Sequence, residues 1–536
     1  MSEIFVIEEY AVALLLIATL VGIVARRLRM PYTVGLVVVG AALAILYQQF
    51  DIEVEPDLIL GIFVPPLIFE AAFHIPIHEL RRNLVSILTL AVVGVLLTTF
   101  LVGGIVHLGA GMLTSSAIVF GSIIAATDPV AVIALFRTLG VPRRLQVLLE
   151  GESLLNDGTA IVVFNIAVTA AITGGFSPRA ALGEFIFSAG IGLGIGLVLG
   201  LLASFMISRI DDYLIETAVT FVLAYGAFVV AESFHVSGVL AVVAAGLVNG
   251  NIGPRGMSST TRIVVYNFWE FMSFLANSFV FLLIGLVVDL PLLLKNWQAI
   301  LWGIVAALLA RLIVIYALFP NSKTIPLRWK HIMYWGGLRG AISLALVLGL
   351  TPRMGIEISG QLRAMVFGLV LFTLLVQGTS MSWLVRRTGI VHRREERDEY
   401  DLRRARATTT RAAYDHLKKI HNEGMISRHV WDIITGTIDP YTKKLTDSMQ
   451  EILKEHPYVE TEELDSAWRE FLQYQRLALG ELLTSRGITE DVFNDLASRI
   501  DDQLASAQIA WDNADTMDSA LWQVRPPQSD PETAPE

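Results

Sequence analysis

About thirteen apolar stretches, each close to the length a helix needs to cross a bilayer, fill this chain up to residue 385. A transmembrane helix takes about 20 apolar residues, and within lipid only helices and closed barrels satisfy every backbone donor and acceptor. Long apolar runs without strict alternation read as helices. The stretches are 4–26, 32–49, 56–76, 84–108, 113–137, 144–174, 181–208, 214–233, 236–250, 262–289, 297–319, 329–350 and 361–385. The stretch at 236–250 is short enough to be displaced or merged with a neighbour. The predicted fold is all-α: a polytopic membrane protein of about 13 transmembrane helices.

Composition agrees. Of the 536 residues 54% are hydrophobic and 17% charged, against about 25% charged in soluble domains. The net charge of −10 is unevenly placed. From Arg387 onward Lys and Arg number 19 against 29 Asp and Glu, which leaves 21 against 21 before it. The predicted division is a membrane domain at 1–386 and an acidic, helical, cytoplasmic tail at 387–536. Cysteine is absent, which excludes disulfides, thiolate metal sites and cysteine nucleophiles. The first stretch follows the acidic MSEIFVIEEY and has no small-residue cleavage site after it, so it reads as a span and not a signal peptide.

Basic residues set the orientation, because they gather on the cytoplasmic side. Loops after odd-numbered stretches hold Arg26, Arg27 and Arg29; Arg81 and Arg82; Arg143 and Arg144; Arg209; Arg255 and Arg262; Lys323, Arg328 and Lys330; Arg386 and Arg387. The alternate loops, such as DIEVEPD and HLGAGM, are poor in them, with Arg353 and Arg363 as exceptions. This alternation predicts an odd number of spans, an N-terminus outside and a C-terminus in the cytoplasm; residence in the plasma (inner) membrane is expected.

Several charges stand where apolar residues are expected. They are Glu70 in PPLIFEAAF, Asp128 in AATDPVAV, Glu152 in LLEGESLL, Asp157 in SLLNDGTAIVVF, Arg311 in LLARLIVIY and Arg339 in WGGLRGAISLAL. An ionised carboxylate at the bilayer centre costs about 2.5–3.5 kcal/mol on insertion scales, so such groups are kept where they are paired, hydrated or used. Ser153, Asn156 and Asp157 follow i, i+3, i+4 and share one helical face. Hydroxyl, amide carbonyl and carboxylate are hard oxygen donors that suit a small hard cation; alternatively the face is a polar seam between helices. In TDP, Pro129 breaks the helix and frees backbone oxygens near the midplane, where Thr127 and Asp128 stand. Asp128 reads as a cation ligand, as a cap of the next helix start, or as both. Glu152 and Arg339 have opposite signs and are expected to pair. Glu70 follows Pro65 and Pro66 and reads as a site carboxylate or a capping one. Arg311 holds a carboxylate or lines the cytoplasmic funnel. His74, His78 and His331 lie near the cytoplasmic loops, as pH sensors or as plain interfacial residues. TDP in the fifth stretch and GGLRG in the twelfth are similar disruptions far apart, the usual mark of an inverted repeat around a transporter site.

Together PPLIFE, ATDPVAV, EGESLLNDGTA, FLANSFVFLLIGL and GGLRGAISLAL resemble the cation:proton antiporter family, which includes NhaP-type proteins and eukaryotic sodium/proton exchangers. The resemblance covers most of residues 1–390. It implies two inverted repeats whose fifth and twelfth spans cross as unwound helices, and a homodimer. It places the ion-binding carboxylate at Asp157 after Asn156, a pairing that goes in the family with electroneutral exchange. Glu70, Thr127, Asp128 and Ser153 match positions lining the ion site, with Asp157, Ser153, Thr127 and Glu70 around the monovalent cation. Glu152 and Arg339 match a buried ion pair.

The expected function is secondary antiport of a monovalent cation, Na+ before K+ or Li+, against H+, by alternating access and competition at a buried carboxylate. No cofactor, enzymatic activity or nucleic-acid partner is expected. A cation channel is one rival, although no filter-like repeat is present. An intramembrane aspartyl protease using Asp128 and Asp157 is another, although Leu155-Asn156 precedes Asp157 where a GxGD-like motif is expected. The tail beyond YDHLKKIHNE has helical patterning with Trp431, Trp468 and Trp511 as aromatic anchors, and reads as a regulatory or dimer-supporting domain or as a passive solvated one. Its basic start suits anionic headgroups, and its end, RPPQSDPETAPE, has a disordered composition.

Overall fold

The computed structural model describes residues 3–500 apart from 29–30, 47–58, 211, 320–324, 351–353, 391–394, 486, 490–491, 494 and 498. The expectations placed on DIEVEPD, Arg29, Lys323, Arg353, Trp511 and the RPPQSDPETAPE stretch lie outside the described residues. The chain separates into two compact units, Met1–His392 and Arg393–Glu536. The described elements are all helical, as predicted.

In the first unit α1 is Glu3–Leu28, α2 Tyr32–Leu46, α3 Ile59–His74 and α4 Ile77–Ala110. The next four are α5 Thr114–Ala125, α6 Val130–Leu139, α7 Arg143–Thr173 and α8 Pro178–Ile207. Then come α9 Tyr213–Ser233, α10 Gly238–Ile252, α11 Ser259–Leu286 and α12 Leu290–Lys295. The unit ends with α13 Trp297–Leu318, α14 Leu327–Trp335, α15 Ala341–Leu348 and α16 Glu357–Arg387. Among the described residues eight helices are long and apolar enough to cross a membrane, counting α5 with α6 as one path from Thr114 to Phe136. Shorter apolar helices lie at Val12–Ala25, Tyr32–Leu46, Ile59–His74 and Gly238–Ile252. This is a multi-pass membrane protein.

The outward faces explain the composition. Along α8 the side chains of Leu182, Ile186, Phe187, Leu197, Leu201 and Phe205 are exposed, a continuous apolar face that only lipid or another apolar surface accommodates. The inner face of α8 is glycine. A Cβ on Gly196 stands 2.0 Å from the Ala241 carbonyl, so the close approach of α8 to α10 requires the missing side chain. Helix α10, the short stretch at 236–250, is almost wholly buried. Protein surrounds it, so its length need not match the bilayer.

Two boundaries differ from the sequence reading. Helix α4 starts at Ile77, ahead of the stretch predicted from 84. Its first turns, IHELRRNL, are amphipathic and hold to α7 through Arg144 donating to Asn83 (2.9 Å) and Arg143 beside Glu79 (3.6 Å). Helix α12 was not anticipated; it is one and a half turns opened by Asp289, whose carboxylate caps the Leu292 amide at 3.0 Å. Among the described residues π-helical turns open α3 at Ile59–Phe63 and interrupt α4 at Thr89–Gly94 and α16 at Thr373–Gly378. Such turns are frequent at functional sites.

The second unit contains α17 Glu395–Asn422, α18 Arg428–Glu455 and α19 Pro457–Thr484. Helices α17 and α18 form a hairpin turned at Gly424, which has φ 77°. Trp431 anchors it, stacked on His421 with centroids 4.7 Å apart and beside Tyr414 at 5.7 Å. Trp468 stacks on Phe471 within α19.

Candidate functional site

The fifth and twelfth stretches are interrupted where TDP and GGLRG stand. Helix α5 ends at Ala125, Ala126 is extended with ψ 135°, and α6 begins after Pro129. Helix α14 ends at Trp335, and α15 begins after Gly340. The two breaks meet: the Asp128 amide donates to the Leu338 carbonyl at 2.8 Å.

Several backbone groups released by the first break find partners across it, as burial away from water demands. The Ile123 carbonyl accepts from Ser343 Oγ (2.9 Å) and the Ala126 carbonyl from Arg339 Nη1 (2.8 Å). The Thr127 carbonyl accepts from Ser153 Oγ at 2.5 Å. The Thr127 amide donates to Asn156 Oδ1 (3.4 Å), and Asn156 Nδ2 donates to Thr127 Oγ1 (2.6 Å). The Val130 amide donates to Asp128 Oδ1 at 3.0 Å, the capping geometry foreseen for Asp128. The sequence reading left the Thr127 oxygens free at the break. Instead both are engaged by α7, each keeping a second lone pair.

Charges follow the helix ends. Arg339 sits at the carbonyl end of α5, and Asp128 at the amide end of α6. An added Cβ on Gly340 stands 2.1 Å from Asp128 Oδ2, so the other carboxylate oxygen lies against the start of α15. Amide ends carry about +0.5 of a charge and carbonyl ends about −0.5, so both charges are placed favourably. Gly340→Ala drives a methyl into Asp128 and forces the two breaks apart. It is expected to reduce cation-driven proton movement to background in vesicles while the protein still reaches the membrane, as an immunoblot against the vesicle marker checks.

A cavity of about 350 Å³ opens beside this crossing. Its wall includes Thr127, Asp128, Ser153, Asp157 and Glu70, five of the six residues predicted to form the ion site. The sixth, Asn156, is absent from the wall. Its amide is turned toward Thr127, so it clamps the break and leaves the ligand face to Ser153 and Asp157. Among the described residues no hydrogen bond ends on the Asp157 carboxylate, and the charges acting on it are those of Asp128 and Arg339. Glu70 stands beside His74, with Nδ1 3.3 Å from Oε1. His331 pairs with the Tyr316 hydroxyl at 2.5 Å.

The ion pair is a correction. Glu152 was expected to pair with Arg339. The guanidinium that closes on it is Arg311, with one Nη on each carboxylate oxygen. Arg311 also donates Nε and Nη2 to the Met333 carbonyl, at 3.3 and 3.1 Å. Arg339 is drawn to the crossing because its backbone belongs to the break; its amide donates to Thr373 Oγ1 on the π turn at 3.3 Å. From there its charge acts on Glu152 and Asp157 without closing on either.

The family model described as the transmembrane region of sodium/hydrogen exchangers matches residues 13–387. The chain belongs to that family. Among relatives of this sodium/hydrogen exchanger family member, the Na(+)/H(+) antiporter ApNhaP of Aphanothece halophytica is 41% identical, over 77% of this chain and 81% of its own. The low-affinity Na(+)/H(+) antiporter NhaS1 of Synechocystis is 35% identical over 85% and 88%. The fold matches the solved structure of the antiporter MjNhaP1 from Methanocaldococcus jannaschii, with a TM-score of 0.60 and 21% identity over 72% of this chain and 99% of that one.

The exchanger-family fold also brings to the cavity residues that the sequence reading passed over: Tyr32, Thr33, Glu150, Glu270, Ser273 and Asn277. Glu150 was legible, since Glu150, Ser153 and Asp157 follow i, i+3, i+7 on one face. Nothing in the local sequence of α2 marks Thr33.

Proposed function

We propose that this protein exchanges sodium for protons across the plasma (inner) membrane, one for one, at a site centred on Asp157. The family and its named relatives support the exchange. The observation that carries the site is an Asp157 carboxylate without a hydrogen bond among the described residues, on a cavity wall, at the crossing of two broken helices.

A charge count supports the stoichiometry. Glu152 and Arg311 neutralise one another. Asp128, held at the starts of α6 and α15, balances Arg339. Among the charges at the crossing itself, with the cavity-wall Glu70, Glu150 and Glu270 outside this count, one negative charge remains, on Asp157, and one monovalent cation or one proton cancels it. A carboxylate with neither is costly to carry through a low-dielectric barrier, whereas either loaded form is neutral. The two ions therefore take turns, and their fluxes are coupled. Ser153, Thr127, Asp128 and Glu70 complete the oxygen shell, and Asn156 positions Thr127. Access alternates as the two bundles rock about the crossing.

The same reading carries thirteen spans, two inverted repeats, an outside N-terminus, a cytoplasmic C-terminus, a homodimer, and a regulatory tail beginning near residue 387. It is tested in proteoliposomes holding a pH-sensitive dye, challenged with sodium, lithium, potassium or choline at several pH values. Sodium-driven proton movement whose rate ignores an imposed membrane potential is the expected result. Alkali-metal flux with no opposing proton flux removes the proposal, and a potential-dependent rate removes the one-for-one stoichiometry.

A further inference from the structure

We propose that Thr33, Ser273 and Asn277 form the outer half of the cation's coordination, reached through its water, and set the apparent affinity and the preference among alkali cations. This deepens the sodium–proton exchange proposed above and rests on it.

Three observations converge. First, Thr33 is 4% exposed and lines the cavity, yet its hydroxyl has no hydrogen-bond partner among the described residues. A buried threonine inside a helix bonds the carbonyl one turn back, as Thr99 does to Val95; Thr33 is the second residue of α2, so no earlier turn of that helix offers it one. A buried hydroxyl without a partner is unfavourable, and a hydrated ion in the cavity relieves it.

Second, the two facing helices carry matched stripes. On α7 the polar wall residues are Glu150, Ser153 and Asp157; on α11 they are Glu270, Ser273 and Asn277. Both sets run Glu, Ser, Asx at i, i+3, i+7, a single helical face. Helix α2 brings Thr33 to the second stripe, because Tyr32 stacks on Phe274 at 5.3 Å and its hydroxyl meets Ser278 Oγ at 2.5 Å. Asn277 Nδ2 donates to Ser273 Oγ at 3.5 Å, which leaves the amide oxygen for the cavity. The FLANSF motif, which the helix crossing does not use, is thereby accounted for.

Third, a cavity of about 350 Å³ has space for water beside an ion. An ion on Asp157 keeps water on its far side, and water-bridged contacts are nearly as favourable as direct ones. The α11 groups Ser273 and Asn277 and the α2 hydroxyl are uncharged. They alter how tightly a hydrated ion is held without altering the charge count that couples the fluxes.

The test uses the full-length protein in proteoliposomes, comparing wild type with Thr33→Val, Thr33→Ser and Asn277→Leu. Thr33→Val and Asn277→Leu are expected to raise the apparent KM for sodium about two- to tenfold, the loss of one hydrogen bond. Maximal rate and the one-for-one ratio stay at the wild-type level, as for a lost contact made equally in the ground and transition states. The ratio of sodium to lithium KM shifts, and Thr33→Ser, which keeps the hydroxyl, behaves as wild type. Sodium-induced thermal stabilisation in detergent gives a second reading independent of transport. A wild type that exchanges normally, with Thr33→Val and Asn277→Leu unchanged in KM, ion preference and stabilisation, overturns this inference alone. A wild type that moves no protons against sodium overturns the exchange reading and this inference with it.

Discussion

Asp157→Asn is expected to abolish sodium-driven proton movement, to the level of vesicles without the protein, while membrane insertion is unchanged. The amide fills the same volume, so packing of α7 survives. What disappears is the one negative charge left over at the crossing after Glu152 with Arg311, and Asp128 with Arg339, have been counted. The neutral side chain neither binds a proton in the working range nor attracts a cation by charge. Removing a charge from the bilayer interior also favours insertion, by the few kcal/mol that a central carboxylate costs. The measurement is dye dequenching in everted vesicles on adding sodium, normalised to protein in the membrane. Asp128→Asn is expected to fold and insert as well, because its capping contact with the Val130 amide is available to an Asn oxygen. By the same count it leaves Arg339 unbalanced against Asp157, so sodium-driven exchange falls there too. An Asp157→Asn variant that exchanges with ordinary sodium dependence removes the mechanism.

Much of this arrangement was legible in the sequence, for identifiable reasons. The all-helical membrane unit follows from apolar runs whose length the bilayer dictates. The broken fifth and twelfth stretches follow from Pro129 and from Gly336, Gly337 and Gly340, residues that act on the backbone locally. Asp157 and Ser153 follow from helical spacing. Partner choice was harder, because it depends on how helices far apart in sequence are juxtaposed. Charge sign alone let Glu152 pair with Arg339 or with Arg311, and only the packing of α13 against α14 decides between them. Asn156 failed for a related reason. Its spacing puts it near the face of Ser153 and Asp157, but 100° of rotation per residue is enough to point it at Thr127 and not at the cavity. Thr33 left no signal, since one hydroxyl in an apolar helix is ordinary until its lack of a partner is seen.

The pairing of Glu152 leads to the largest stability effect. Both side chains are buried, Glu152 at 2% exposure and Arg311 at 7%, and Arg311 uses both Nη atoms on the carboxylate and two N–H groups on the Met333 carbonyl. That carbonyl is among the last of α14, so one guanidinium ties α13 to α7 and caps the helix leading into the second break. Arg311→Met keeps the length and apolar stem but leaves Glu152 charged and unpaired. Such a loss typically costs about 3–5 kcal/mol, and it is expected as a marked fall in the thermal transition of the purified protein in detergent. Glu152→Leu added to Arg311→Met removes the stranded charge and is expected to recover more than half of that loss, because a buried pair replaced by apolar groups is often nearly neutral. The same Glu152→Leu added to Arg339→Met is expected to recover little. Arg339 is held by the Ala126 carbonyl and by its place in the break, and its removal uncovers that carbonyl, not Glu152. The two double-variant cycles therefore separate the pairing that charge alone permits from the one that packing selects: rescue in the Arg339 background and none in the Arg311 background reverses the assignment.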